Sequence, residues 1–194
     1  MSTVMIPHSA ENVGYLELVV GPMYSGKTSR LLSLHKQFNL CNISNALVNH
    51  TLACNGSPTV TNHDDGKSTA IQGETMYGIL PMNSDAFRKT KVFLVNEAQF
   101  FPDICDWCKE AVSSPFNKSV YLVGLDGDYR REAFGNWLSL IPFADQVEKL
   151  RAICMRCKIQ SAPFTRRVDT ENVSQVLVSD SHHMPLCRKC YDEN

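Results

Sequence analysis

No apolar run in this 194-residue chain approaches the roughly 20 residues needed to cross a bilayer. Residues 1–14 lack the basic start and apolar stretch of a signal peptide, and they read as a loose leader. Internal repeats and low-complexity tracts are missing too. So is an excess of either charge: 19 Lys and Arg face 20 Asp and Glu, giving a net charge of −1 and a pI near 6.6. Without a global basic field nothing draws the chain onto DNA or RNA, and neither nucleic acid nor a membrane is expected as a partner. These absences leave a cytoplasmic globular protein as the expectation. The length suits one α/β domain with a small appendage.

Against that background one segment stands out. The apolar stretch Tyr15–Val20 runs directly into Gly21-Pro22-Met23-Tyr24-Ser25-Gly26-Lys27-Thr28, a Gly-x-x-x-x-Gly-Lys-Thr loop. Glycines let the backbone curl so that successive N–H groups point inward. Lys27 can then reach β- and γ-phosphates, and the Thr28 hydroxyl can ligate Mg²⁺ where the next helix begins. Leu31, Leu34, His35 and Phe38 follow at helical spacing, which predicts a helix from Lys27 to about Leu40.

Residues 46–48 read as a short buried strand, whereas 49–85 are rich in Thr, Asn, Gly, Ser and Asp and read mainly as loop with weaker elements inside. Residues 91–95 and 119–124 are continuous apolar runs, as expected of parallel strands covered on both faces. Between them Pro102 and Asp103 open a helix whose apolar positions are Ile104, Trp107, Cys108, Ala111 and Val112. Alternating strands and helices predict an α/β fold with a P-loop NTPase-like parallel sheet over residues 15–145.

Composition changes after about Gln146. Cys154-Met-Arg-Cys157 and Cys187-Arg-Lys-Cys190 flank a strand-like segment at residues 174–178. Four thiolates paired in this way close a tetrahedral Zn²⁺ site with no open position, so residues 146–194 are expected to form a small zinc-binding domain with a structural metal. Reduced core cysteines or a redox pair are the competing readings. Cys105 and Cys108 share the spacing but fall inside the predicted helix, where they read as small core residues.

A phosphate loop needs partners at a neighbouring strand end. The run 91–95 leads into Asn96-Glu97-Ala98-Gln99-Phe100-Phe101, where a carboxylate can support Mg²⁺ or accept a proton from a hydroxyl. Glu97 is the carboxylate available, with a solvated strand-end glutamate as the bland alternative.

The phosphate loop, residues 96–101, Leu125-Asp-Gly-Asp-Tyr-Arg-Arg-Glu-Ala-Phe-Gly135, Phe164-Thr-Arg-Arg167 and both cysteine pairs together resemble the cytosolic, tetrameric type of thymidine kinase found in animals, bacteria and large DNA viruses. The resemblance spans about residues 16–191. It implies transfer of the ATP γ-phosphate to the 5′-hydroxyl of deoxythymidine by a cytoplasmic homotetramer, with Mg²⁺ and a structural Zn²⁺. Glu97 matches the general base, and residues 21–28, Asn96 and Gln99 match the ATP site. Phe100, Leu125, Tyr129, Phe134 and Thr165 match the surroundings of the nucleoside. Ser174, Gln175, Val176, Leu177, Val178 and His183 match a lasso that reads the base largely through main-chain groups.

Departures from the family pattern are specific. Asn96 stands where the family has Asp, and an Asp-Thr-Arg triplet is replaced near Cys54, Asn55 and Gly56. A Gly-Gly of the lasso becomes Val178-Ser179, and its tyrosine becomes His183. Asp64 and Asp65, after His63, offer alternative metal support or a solvated turn. Two further readings follow: a non-catalytic nucleotide-binding homologue acting through assembly, and a zinc-ribbon binder of nucleic acid using the pairs Arg130, Arg131 and Arg166, Arg167.

Overall fold

Alternation of apolar residues along β1 (Tyr15–Val20) sets the architecture: Leu16, Leu18 and Val20 face one core, and Val19 faces the other. A computed structural model describes residues 13–53, 59–61, 66–168 and 183–193. Its centre is a six-stranded sheet in the order β5-β2-β6-β7-β1-β8, parallel throughout. Here β2 is Asn45–His50, β5 Ile71–Gly73, β6 Val92–Val95, β7 Ser119–Gly124 and β8 Gln146–Lys149.

Helix α1 (Lys27–Leu40) buries Leu31, Leu34 and Phe38 against Leu47, Leu94, Tyr121 and Val123 on one face. On the other face, α4 (Ile104–Val112) buries Ile104, Trp107, Cys108 and Ala111 against Phe93, Val95, Val120 and Leu122. Both faces of the middle strands are therefore covered, which explains their unbroken apolar character. Arg30 ties α1 to the sheet, bonding Glu17 of β1 at 2.7 Å and also Glu148 of β8.

The loop-like stretch contains more order than its composition suggests. The strands β3 (Thr59–Thr61) and β4 (Lys67–Thr69) form a hairpin, and β5 extends the parallel sheet beyond β2. Short helices α2 (Met76–Ile79) and α3 (Asp85–Lys89) follow, each with its N-cap hydroxyl, Thr75 or Ser84, bonded to a backbone amide. Asp103 precedes α4 as expected, yet its carboxylate does not cap that helix. It accepts from the Met76 and Tyr77 amides, both at 2.9 Å, because α2 leaves first-turn donors unsatisfied beside it.

Beyond the sheet edge the chain forms a second lobe of short strands: β9 (Ala152–Ile153) with β10 (Ser161–Ala162), and β11 (Phe164–Arg167) with β12 (His183–Leu186). Helix α5 (Arg188–Asp192) closes it. The sheet itself reaches past the expected boundary at Gln146, since β8 pairs with β1. No helix among the described residues is long and apolar enough to cross a membrane.

Candidate active site

In a parallel sheet, ligands gather at the carboxyl ends of the strands. The ends of β6, β7 and β1 lie side by side here, bringing together residues 21–28, 96–101 and 125–135. The phosphate loop turns through Tyr24 at φ 61° and Gly26 at φ 86°. The second angle is one that glycine adopts without a Cβ penalty. No side chain caps α1, so its first-turn amides face the loop. The positive end of the helix dipole there is suited to phosphate oxygens.

Lys27 is buried, and its Nζ donates to Pro22 O at 2.6 Å. Burial pushes its pKa below the ordinary lysine value, against the pull of Glu97 and Asp126, which favour the charged form. Asp126 itself pairs with Lys149 at 2.5 Å. Ser25 Oγ donates to Pro22 O at 2.8 Å, and Thr28 Oγ1 donates to Asn96 Oδ1 at 3.3 Å.

Glu97 sits in the left-handed region at φ 54°, ψ 47°, a conformation that costs a non-glycine residue on the order of 1 kcal/mol. Such strain persists where the surroundings over-determine it, and Gln99 supplies the restraint. The Gln99 Nε2 donates to Glu97 Oε2 at 2.5 Å, while its Oε1 accepts from Leu125 N at 3.0 Å. Gly124 makes room for that amide: a Cβ there would stand 2.5 Å from Gln99 Oε1 and 2.8 Å from the Trp137 ring.

The expected nucleoside residues divide into groups. Phe100 and Phe134 meet edge to face at 5.6 Å, with His50 against Phe100 at the same distance. Leu125 is fixed by its backbone, its carbonyl accepting from Trp137 Nε1 at 3.1 Å. Tyr129 lies under the Arg167 guanidinium, 4.1 Å from ring centre to Cζ, and its carbonyl accepts from Tyr191 Oη. Thr165 Oγ1 accepts from Met23 N at 2.9 Å, which ties the second lobe to the phosphate loop itself. His183 opens β12 opposite Arg167. Ser174, Gln175, Val176, Leu177 and Val178 lie outside the described residues, as do Val178-Ser179, Cys54, Asn55, Gly56, His63, Asp64 and Asp65.

Sequence reasoning missed Asn49, His50 and Tyr191. The first two are polar residues at the carboxyl end of a strand whose middle, Ala46, Leu47 and Val48, is apolar, the position where a parallel sheet presents functional groups. His50 packs on both Phe100 and Phe101. It accepts from Leu52 N through Nδ1 at 3.1 Å, so its Nε2 carries the proton that meets Glu74 O at 3.2 Å.

In the second lobe the Sγ atoms of Cys154, Cys157, Cys187 and Cys190 all lie within 4.8 Å of one another. A tetrahedral Zn²⁺ with bonds near 2.3 Å needs sulfurs about 3.8 Å apart, and the Cys157–Cys187 separation is 4.0 Å. Burial alone would raise the Cys154 thiol, but the amides of Cys157, Cys187 and Arg156 outweigh it and bring its pKa to about 6, whereas burial and the neighbouring thiols push Cys190 up to about 12. It is the geometry of the four sulfurs that lets the cluster hold zinc. Cys105 and Cys108 stay in the core of α4, where burial pushes the Cys108 thiol well up and leaves it unreactive.

A phosphate loop facing a restrained glutamate, with a four-thiol lobe against it, defines a P-loop phosphotransferase carrying an appendage that could hold zinc. A family profile described as thymidine kinase matches residues 14–191. The chain belongs to the thymidine kinase family, and it is an enzyme that phosphorylates thymidine with ATP as donor. It is 29% identical over 180 residues to the thymidine kinases of monkeypox virus, variola virus and raccoon poxvirus, covering 93% of this chain and 98% of each relative. These matches favour catalysis over the non-catalytic reading.

Proposed function

We propose that Glu97 is the general base in transfer of the ATP γ-phosphate to the 5′-hydroxyl of deoxythymidine. Its carboxylate takes the hydroxyl proton as the oxygen attacks phosphorus in line; the bond to the β-γ bridging oxygen breaks, and ADP leaves. Lys27 and the amides of residues 21–28 hold the phosphates. Thr28 and Asn96 are the groups that would hold Mg²⁺, which supplies charge neutralisation on the phosphates when bound. Phe100, Leu125, Tyr129 and Phe134 line the nucleoside side, and Ser174, Gln175, Val176, Leu177, Val178 and His183 read the base. The working form is a cytoplasmic homotetramer, as the family resemblance implies.

The observation that carries this reading is the strained Glu97 backbone, held by Gln99 within electrostatic reach of Lys27. The test is Glu97→Gln, with turnover followed on four deoxynucleosides. Loss of turnover with ATP affinity and thermal unfolding unchanged is the expected result. Retention of more than a tenth of wild-type turnover would remove Glu97 from the role.

A further inference from the structure

Asn96 presents two chemically opposite ends, and what it faces depends on how the amide is turned. Its oxygen meets Thr28 Oγ1 at 3.3 Å, and its Nδ2 donates to Asn49 Oδ1 at 3.1 Å. Both asparagines are buried, Asn49 2% and Asn96 5% exposed. They follow Val48 and Val95, which are register partners in β2 and β6, and Asn96 N donates to Val48 O at 2.9 Å. Two amides at adjacent strand ends cost desolvation that apolar residues would avoid, so packing alone does not account for them.

We infer that Asn49 is a positioning residue: it fixes the turn of the Asn96 amide, so that the oxygen rather than the NH₂ group faces Thr28 and the phosphate side. A carboxylate at position 96 would present an oxygen whichever way it turned and would need no such partner. An amide turned the wrong way would present N–H donors to a cation and repel it. Asn49 thus compensates in part for the missing charge at position 96. This inference rests on the proposed reading of Asn96 as metal support.

The experiment is a cycle of Asn49→Leu and Asn96→Asp, reading ATP affinity by calorimetry with Mg²⁺ and with EDTA. Removing one orienting hydrogen bond should weaken Mg²⁺-dependent ATP binding by roughly threefold to tenfold and leave the EDTA value unchanged. In the Asn96→Asp background the Asn49→Leu penalty should fall below about twofold, because the acid needs no orientation. Asn49→Ala is measured alongside, so that one variant folds if leucine does not fit. An equal loss with and without Mg²⁺, or an undiminished penalty beside Asn96→Asp, overturns the role of Asn49. Wild-type and Asn96→Asp chains that ignore Mg²⁺ altogether would instead overturn the metal-support reading, and this inference with it.

Discussion

Replacing Gln99 by leucine separates the site's scaffold from its chemistry, because one amide serves both. The substitution keeps side-chain volume and removes two bonds: the donor to Glu97 Oε2 and the acceptor for Leu125 N. Gln99 is buried, so the orphaned Leu125 amide costs about 1–3 kcal/mol, toward the low end because Leu125 is half-buried and water can reach it. Glu97 is also half-buried, and water replaces most of its lost bond. For a chain of this size that total lowers Tm by roughly 2–12 °C. The kinetic loss should be larger than the stability loss suggests. A released Glu97 can relax from its left-handed backbone, and misplacing a base by about 1 Å costs up to a hundredfold, so kcat should fall roughly tenfold to hundredfold. Steady-state kinetics and thermal unfolding on the same preparation measure both. Gly124→Ala pushes the same amide aside without removing it, and should reproduce the kcat loss. A kcat within twofold of wild type in Gln99→Leu, beside a lowered Tm, would refute the reasoning.

Tyr191→Phe deletes the hydroxyl that donates to Tyr129 O and leaves the ring under Arg131 and Arg166 in place. The thymidine KM should rise about threefold to tenfold with the ATP KM unchanged, and a parallel rise in both would count against a local role. Burial lowers the His50 pKa from 6.5, and its Nδ1 must stay unprotonated to accept from Leu52 N. A base with a depressed folded pKa takes up a proton on unfolding. Stability should therefore decline as pH falls below about 6.5 toward the folded value, and His50→Gln should flatten that part of a Tm-against-pH curve. Metal analysis should return one zinc per chain, and Cys190→Ser should lower both zinc content and Tm; an unchanged Tm after zinc loss would refute a structural metal.

Most of the sheet was legible because parallel strands covered on both faces are written as unbroken apolar runs, as residues 119–124 show. Apolar residues three and four apart gave α1 and α4 almost to the residue. Edge strand β5 was not legible, since Ile71-Gln72-Gly73 is partly exposed and carries no apolar run; it is a strand because β2 pairs with it. At the site, the phosphate loop and Glu97 could be found because their chemistry is local in sequence. Gln99 could be found as a motif member, but not its contacts with Glu97 and Leu125. Asn49 and Tyr191 act through partners 47 and 62 positions away, and nothing in their own neighbourhood points to those partners.

The position of the second lobe explains why a four-thiol cluster belongs in this fold. Its buried apolar set is small, with Ala152, Ala162 and Leu186 beside the cysteines, too little to fix the lobe by packing. Yet it must hold two distant parts of the site. Thr165 grips the phosphate loop through Met23 N, and Tyr191, next to Cys190, grips the 125–135 segment through Tyr129 O. Arg131 reinforces the second grip, lying 4.3 Å over the Tyr191 ring and bonding Asp192 at 2.8 Å. The exposed ion pair contributes little by itself, so the stacking and the two partly buried hydrogen bonds carry the junction. A metal held by Cys154, Cys157, Cys187 and Cys190 would fix the start of the lobe to α5, and with it the spacing between the two grips. The piece that carries both grips would then take from its thiols a rigidity that its small core does not supply.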